Sequence, residues 1–410
     1  MSTLKATNIQ NAASATTNIA LDTSGNVTVG NNVTVGGGIT ASAGTVVMSS
    51  PYTMRNKIIN GAMVIDQRNA GASVTPLAPA GAYSVDRFNV VISQSSKLSF
   101  QRNAGSVTPP SGFSNYLGIT SLSAYTVGAS DYFAIQQSIE GYNWSEMDFG
   151  TANAKTVTLS FWVRSSLTGT FGGVIKGYDG ASAIRSYPFT YTISSANTWE
   201  QKSVTIAGDT TSSTAWSSTQ SKTNGYGLIV AFGLGVGATL SGAAGSWSST
   251  NYNSATGATS VVGTNGATFY ITGVQLERGT VATPFEYRNY QQELAMCQRY
   301  YWRMTRTSTS TSDVTGAFAM GQTWTNTFQV YIPFPVIMRT GPTADFSAAG
   351  TFQFHIGGVT NTAVSGLTIN QSLVDGARIQ CSWTYSGTNG LAGQLAAYNA
   401  TAYLGFNSEL

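Results

Sequence analysis

Residues 156–164, with the sequence TVTLSFWVR, alternate apolar and polar side chains and decide the fold class. The apolar residues at odd positions from 157 to 163 fall on one face of an extended strand, whereas Trp162 and Arg164 fall on the other. Similar strand-like runs recur from about residue 85 to residue 288, among them residues 172–175 and 227–234, separated by Gly, Ser, Asn and Asp turns. A series of short strands of this kind predicts an all-β protein whose main body is a β-sandwich.

The composition narrows the classes of function. Charged residues make up 9% of the 410 positions and the net charge is +3, so the chain lacks the basic surface that nucleic acids require. No apolar run approaches the roughly 18 residues of a membrane-spanning helix. The first residues, MSTLK, lack the apolar centre of a signal peptide. We therefore expect no nucleic-acid partner, no membrane insertion and no export by the usual route.

The segment before the sandwich, residues 1–50, contains few large apolar side chains and cannot form a core alone. It holds a short repeat, NVTVG at residues 26–30 and again at 32–36. Units of this size are stabilised by stacking on one another or on identical chains. The repeat predicts a thin oligomeric shaft or a docking arm, and a flexible Gly/Ser tail is the alternative.

After the sandwich, the spacing of apolar residues changes from that of a strand to that of a helix. Residues 289–304 carry apolar side chains at spacings of 4, 3, 4 and 3, which predicts a two-heptad helix. Such a short helix needs a surface to dock on, either symmetry mates around a central axis or the sandwich itself. A Ser/Thr connector to residue 313 follows, and residues 314–410 return to short strands. The predicted seam consists of Tyr290, Leu294, Cys297, Tyr301 and Met304.

Several stretches of the sequence resemble stretches of bacteriophage tail-fibre proteins. The run FYITGVQLERGTVATPFEYR at residues 269–288, followed by QQELAMCQRYYW at 291–302, is similar to the junction between their jelly roll and their receptor-binding tip. The phrases NKIINGAM at 56–63 and YSVDRF at 83–88 look like the head of that jelly roll. The resemblance implies a jelly roll like a carbohydrate-binding module at 51–288 and a small receptor-binding β tip at 314–410, joined by the helix and connector at 289–313.

The first ten residues also resemble the start of phage fibre proteins, which implies that residues 1–50 attach to the virion, with Leu4 and Ile9 as apolar contacts. The resemblance further implies a homotrimer in the tail fibre of a virion, made in the host cytoplasm and held by a tail or baseplate protein. Its expected function is to attach the virion to a host-cell surface polysaccharide with the C-terminal tip. An enzymatic tailspike and a purely structural fibre or capsid decoration protein are the alternatives.

Sugar recognition requires aromatic faces together with neutral amides and hydroxyls, and the sequence offers both. Trp162 and Arg164 are the leading candidates because strand alternation places them opposite the core face. The alternative is that Trp162 packs against a loop or a neighbouring subunit. In the tip, Trp383 and Tyr385 share a strand face with Cys381, so a core role is equally open for them. The glycan candidates are Trp162, Arg164, Trp144, Trp383, Tyr385, Tyr398 and Tyr403.

Catalytic chemistry has few candidates. The single histidine, His355, has no nucleophile elbow near it, and one histidine with two cysteines does not make a His/Cys metal site. Glycoside hydrolysis needs only two carboxylates, and Glu140, Glu146 and Asp148 form the densest acidic cluster. No catalytic residue, metal ligand or cofactor is expected. The family resemblance leaves a calcium site open. However, the acidic pair that often supplies calcium ligands in such modules is replaced by Thr272-Gly273 in this sequence.

Overall fold

The computed structural model describes residues 8–9, 19–21, 27–29, 54–79, 82–306, 316–356, 359–361, 364–383 and 388–410. Antiparallel sheets make up most of the regular structure, which confirms the predicted all-β class. Residues 1–49 form one compact unit and residues 50–410 form another.

In the first unit, three short strands pair antiparallel in the order β1 (Asn8–Ile9), β2 (Ile19–Leu21) and β3 (Val27–Val29). Strand β3 coincides with the first copy of the NVTVG repeat, and Ile9 ends β1. The second copy and Leu4 lie outside the described residues. The role of residues 1–50 in virion attachment stays a prediction.

The second unit begins with a β-sandwich. Two short helices, α1 (Thr214–Ser217) and α2 (Thr219–Lys222), interrupt its strands. The strands are β4 (Ala82–Tyr83), β5 (Asn89–Ile92), β6 (Leu98–Arg102), β7 (Leu117–Ser121), β8 (Tyr132–Glu140), β9 (Val157–Ser165), β10 (Gly169–Tyr178), β11 (Ile184–Ile193), β12 (Glu200–Ile206), β13 (Tyr226–Val236), β14 (Ser241–Gly242), β15 (Ser254–Ala255) and β16 (Thr268–Arg278).

Two sheets form the sandwich, one of six strands in the order β11-β10-β13-β8-β5-β4 and one of five in the order β12-β9-β16-β7-β6. Strands β14 and β15 form a small parallel pair at the side. The inner faces of the two large sheets enclose one hydrophobic core, in which the Phe161 ring contacts Phe232 of the opposite sheet at 4.9 Å between centroids. The alternation of residues 156–164 is confirmed, because the apolar set is fully buried and Trp162 and Arg164 face outwards.

A bulge interrupts β16 where it pairs with β9. The register shifts between Thr272 and Gln275, and Gly273 adopts a φ of 61°. A Cβ atom at this position would lie 2.7 Å from the Phe113 ring, so the backbone conformation and the close packing both require glycine. Gly273 therefore lies in a bulge of a central strand.

The helix after the sandwich is shorter than predicted. Helix α3 (Tyr290–Gln298) begins after the cap residue Asn289, and strand β17 (Tyr301–Thr305) follows it. The prediction of a helical seam through Tyr301 and Met304 is wrong because these two residues pair in a sheet. Leu294 and Cys297 pack on Ile59 of the sandwich, and Cys297 is fully buried there. Of the two surfaces considered for this helix, the structure shows α3 docked on the sandwich. Tyr290, at its start, stays exposed.

The C-terminal region contains two sheets, one of seven strands and one of three. Their core includes Phe328, Phe354 and Phe406. The strands after β17 are β18 (Ala317–Trp324), β19 (Thr327–Pro333), β20 (Thr343–Phe346), β21 (Phe352–Ile356), β22 (Val359–Asn361), β23 (Gly366–Ser372), β24 (Gly376–Ser382), β25 (Ala392–Ala397) and β26 (Tyr403–Asn407). The strand order is β22-β21-β25-β18-β19-β24-β23 in the larger sheet and β17-β26-β20 in the smaller one.

Charged contacts join these C-terminal sheets to the sandwich. Glu409 pairs with the buried Arg87, and with Arg68 at 3.2 Å. Arg339 donates a hydrogen bond to the backbone carbonyl of Asn224 at 2.8 Å. The C-terminal sheets are thus packed against the sandwich by contacts that remove charges from water.

Candidate functional site

A cleft of about 420 Å³ opens on the outer face of the six-stranded sheet. Tyr178 and Tyr226 form its aromatic wall, with ring centroids 5.5 Å apart and ring planes at 59°. Both tyrosines are half-buried and line the cleft, so part of each side chain is accessible there. The residues that line the cleft include Gln136, Lys176, Tyr178, Tyr226, Ile229 and Asn251.

Strand alternation explains why these side chains share one face. In β10, Ile175 points into the core, and Lys176 and Tyr178 flank Gly177 on the opposite side. Gly177 is required, because a Cβ atom there would lie 2.3 Å from the buried Trp216 ring. The regular part of the sheet therefore sets the direction of both polar side chains.

The cleft contains a half-buried lysine whose hydrogen-bond partners are neutral amides. Lys176 Nζ donates to Asn253 Oδ1 at 2.6 Å and to Asn251 Oδ1 at 3.2 Å. Burial lowers the pKa of Lys176 from 10.5 to about 8. Burial also raises the pKa of Tyr226 above its usual value of 10.0, so this phenol is neutral and can donate a hydrogen bond at physiological pH. The cleft thus combines one cation, amides and aromatic rings.

Asn89 extends the polar lining of the same sheet. It pairs with Gln136 across β5 and β8, which places the two side chains on one face. Asn89 Oδ1 is buried and accepts no hydrogen bond from the described residues. Buried acceptors are nearly always satisfied, so Asn89 is a polar group with unused bonding capacity beside Gln136.

The two leading sequence candidates lie on the other sheet. Trp162 is half-buried against Gly273, and the Arg164 guanidinium lies 5.3 Å from the Tyr270 ring centroid. Arg164 Nε also donates to the Asn197 carbonyl at 2.9 Å. Both residues face outwards as predicted, but the structure does not bring them to the cleft.

Two tryptophan candidates are buried and do not present a face to a ligand. Trp144 is 3% exposed and packs edge-on against Phe149, with ring centroids 5.0 Å apart. Trp383 is 7% exposed and lies 5.2 Å from the Phe354 ring in the C-terminal core. The prediction of glycan binding by Trp144 and Trp383 is therefore wrong, and the core role left open for Trp383 is the one observed. Tyr385 lies outside the described residues.

The remaining tip candidates differ in accessibility. Tyr398 is 48% exposed, whereas Tyr403 is half-buried under the Arg303 guanidinium, 3.6 Å from the ring centroid. Trp324 and Tyr331, on neighbouring strands β18 and β19, are more than half exposed. Sequence reasoning missed these two residues, although Trp324 immediately precedes a turn.

The acidic cluster is dispersed. Glu140 is buried and receives hydrogen bonds from Arg299 and from the Tyr300 hydroxyl, the latter at 2.6 Å. Although burial alone would raise it, these hydrogen bonds and the charge of Arg299 lower the pKa of Glu140. Glu146 pairs with Lys57, and Asp148 lies 3.5 Å from Lys155, both at the surface. Glu140 is therefore an ionised structural carboxylate and not a proton donor.

Over the described part of the chain, no group of three or more His, Cys, Asp and Glu side chains is arranged to hold a metal ion. Within the same residues, no helix has the length and apolar character needed to cross a membrane.

The cleft residues could have been found in part from the sequence. Residues 172–175 already predict a strand, and extending its alternation by three positions places Lys176 and Tyr178 on the outer face. Tyr226 begins a strand that the sequence places nearly correctly at 227–234. The missing information is that β10 and β13 are neighbours, since two further strands separate them along the chain.

No family model matches the sequence, and no curated protein matches it. Several solved structures align with about half of the chain, among them the following three. The enzymatically active domain of tailspike protein 4 from bacteriophage CBA120 has a TM-score of 0.28 and 13% identity over 55% of this chain and 22% of its own. The CBM22-1 xylan-binding domain of Paenibacillus barcinonensis Xyn10C has a TM-score of 0.27 and 10% identity, covering 52% of this chain and 99% of its own.

The third structure is a family 11 carbohydrate-binding module from Clostridium thermocellum in complex with a β-1,3-1,4-mixed-linked tetrasaccharide. Its TM-score is 0.24 and its identity 11%, over 52% of this chain and 99% of that module. TM-scores this low leave the function of the chain to be argued from its own geometry.

Proposed function

We propose that this protein binds a carbohydrate in the cleft on the outer face of the six-stranded sheet. The observation that carries the proposal is the pair of half-buried rings, Tyr178 and Tyr226, beside Lys176 and the amides of Gln136 and Asn251. Aromatic rings stack on the C–H faces of sugars, and amides exchange hydrogen bonds with sugar hydroxyls. The volume of about 420 Å³ falls in the range of small-ligand sites.

The biological setting that we propose is a phage tail fibre that attaches the virion to a host-cell surface polysaccharide. The sequence phrases at residues 56–63 and 269–288 support this setting, as does an all-β chain with a short repeat near its start. In this proposal, residues 1–50 bind a tail or baseplate protein, three copies form the fibre, and the glycan site lies in the sandwich. A trimer would multiply the affinity of a weak sugar site.

The proposal is tested by glycan-array binding followed by calorimetry on the full chain. We expect the wild type to bind at least one surface glycan, and Tyr178→Ala or Tyr226→Ala to weaken that binding by about tenfold or more, which corresponds to one lost stacking contact. Trp162→Ala is the matched control, because Trp162 is a half-buried aromatic residue on the opposite sheet.

Loss of binding in Trp162→Ala with both tyrosine variants unaffected would place the site on the other sheet. Absence of binding to every glycan would remove the proposed function itself. For the fibre setting, the mass in solution should be three times that of the 43.0 kDa chain, and purified protein added before virions should reduce their adsorption to host cells. A monomeric mass contradicts the trimer and leaves the cleft assignment standing.

A further inference from the structure

Lys176 is the feature of the cleft that a neutral sugar would leave unexplained. An ammonium group has three N–H donors, and two of them are used by Asn251 and Asn253. The third donor of Lys176 Nζ has no partner among the described residues. Because Lys176 lines the cleft, a molecule bound there can accept this hydrogen bond.

The charge of Lys176 is also uncompensated. Within the described residues Lys176 makes no ion pair, in contrast to Lys57, Lys155 and Lys202, each of which has a carboxylate partner. Its hydrogen-bond acceptors are neutral amides, which stabilise an ammonium less than a carboxylate does.

The carboxylate closest along the strand is engaged elsewhere. Asp179 accepts hydrogen bonds from the backbone N–H groups of residues 181–183 and from the Thr214 hydroxyl at 3.1 Å. Asp209, near the end of the same sheet, forms an ion pair with Arg185 at 2.7 Å and accepts from the Trp216 indole. Neither acid forms an ion pair with Lys176, so among the described residues its ammonium is an unpaired positive charge that faces the cleft.

We infer that the ligand of the cleft is an acidic sugar, whose anionic group accepts a hydrogen bond from Lys176 Nζ while a ring face lies on Tyr178 or Tyr226. This inference rests on the proposed carbohydrate-binding function and specifies its ligand class. A charge-assisted hydrogen bond to a half-buried ammonium is roughly twice as strong as a neutral one, which makes it a basis for selecting acidic over neutral sugars.

The burial of Lys176 supports the same ligand class. Removal of the ammonium from water disfavours its charged form, as the lowered pKa records. An anion that accepts a hydrogen bond from Nζ restores the lost stabilisation, so binding to an anionic sugar and protonation of Lys176 favour each other.

The test compares matched acidic and neutral oligosaccharides on the full chain. An array carries uronate, sialate and sulfated oligosaccharides beside their carboxyl-reduced or desulfated forms, and affinities are then measured for the pairs that bind. We expect the acidic member of a pair to bind about tenfold more tightly, the factor that corresponds to one charge-assisted contact. Because the array carries carboxylated and sulfated sugars separately, it also shows which acidic group the cleft binds.

Three variants test whether Lys176 causes the preference for acidic sugars. Lys176→Met should remove the preference for the acidic form, Lys176→Arg should keep it, and Lys222→Met, which removes an exposed charge, should have no effect. Circular dichroism checks the fold of each variant, and the comparison of ligands on the wild type stands even if Lys176→Met does not fold.

Equal binding of acidic and neutral forms, or retention of the preference in folded Lys176→Met, would overturn the inference and leave sugar binding intact. Failure of every sugar to bind would instead overturn the proposed function. The two results are therefore distinguishable in one experiment.

Discussion

Arg299 donates two hydrogen bonds to the buried carboxylate of Glu140, from Nε to Oε2 at 2.8 Å and from Nη2 to Oε1 at 2.5 Å. Glu140 ends β8 of the sandwich, and Arg299 follows α3 directly. The Tyr300 hydroxyl donates to the same carboxylate. This pair therefore anchors the segment that leads into the C-terminal sheets, and its removal should loosen that junction.

Replacing Glu140 with glutamine should lower the free energy of unfolding by about 3 kcal/mol, the lower end for breaking a buried ion pair, because Arg299 keeps some contact with water. Chemical denaturation of the full chain measures this change. The matched control is Asp148→Asn, which removes a surface pair and should cost under about 1 kcal/mol. Equal effects of the two variants would show that the Glu140 pair does not hold the junction.

The same carboxylate predicts how stability depends on acid pH. Its pKa in the folded chain is below the usual 4.5, so its contribution is complete above that pH and disappears as the pH falls through the folded-state pKa. The contribution of Asp86 to the pH dependence of stability has the opposite sign, because burial raises the pKa of its carboxyl group. The difference in unfolding free energy between wild type and Glu140→Gln isolates Glu140. We expect that difference to shrink below pH 4.5; a constant difference from pH 7 to pH 3 would be contrary to this linkage.

Gly177 provides a prediction about the wall of the cleft. The Gly177→Ala change would place a Cβ atom against the buried Trp216 ring, and forcing a methyl group into a packed core costs about 1–3 kcal/mol. Because Gly177 lies between Lys176 and Tyr178, we also expect weaker ligand binding. Gly350→Ala is the control, since no atom lies within 4 Å of the added methyl position. Wild-type stability in Gly177→Ala would contradict the packing described for Trp216.

The orientation of side chains within single strands could be predicted from the sequence, because alternation is a local property. Trp162 faces outwards for this reason. The end of α3 could not, because Tyr301 and Met304 continue the helical spacing while pairing with β26 at the far end of the chain. Trp144 lies in a stretch without periodicity. It packs on Phe149, which in turn packs on Trp216 and Trp247 from distant segments.

The candidate site could likewise be predicted only within single strands. Alternation in β10 places Lys176 and Tyr178 side by side, but only the sheet order brings Tyr226 next to them. The partners of Lys176 come from a loop beyond β13, so its uncompensated charge is a property of the folded chain alone.

Lys176 also predicts a dependence of ligand affinity on pH near neutrality. Its pKa of about 8 in the free protein means that roughly half of the lysine is uncharged at that pH, and an anionic sugar binds the charged form. Affinity should be highest below pH 8 and fall as the pH rises through it. Among the other groups at the cleft, Tyr226 has a raised pKa and stays neutral, Tyr178 is a second phenol, and the Asp179 carboxylate has a lowered pKa and stays ionised.

Calorimetry at pH 8 in buffers of different ionisation enthalpy should therefore detect uptake of up to about half a proton on binding an acidic sugar. Lys176→Arg is the control, because a guanidinium stays protonated throughout this range and should show no uptake. A neutral sugar should likewise bind without a proton. If the wild type took up no proton with any acidic ligand, Lys176 would not contact the anionic group, whatever its affinity for the sugar.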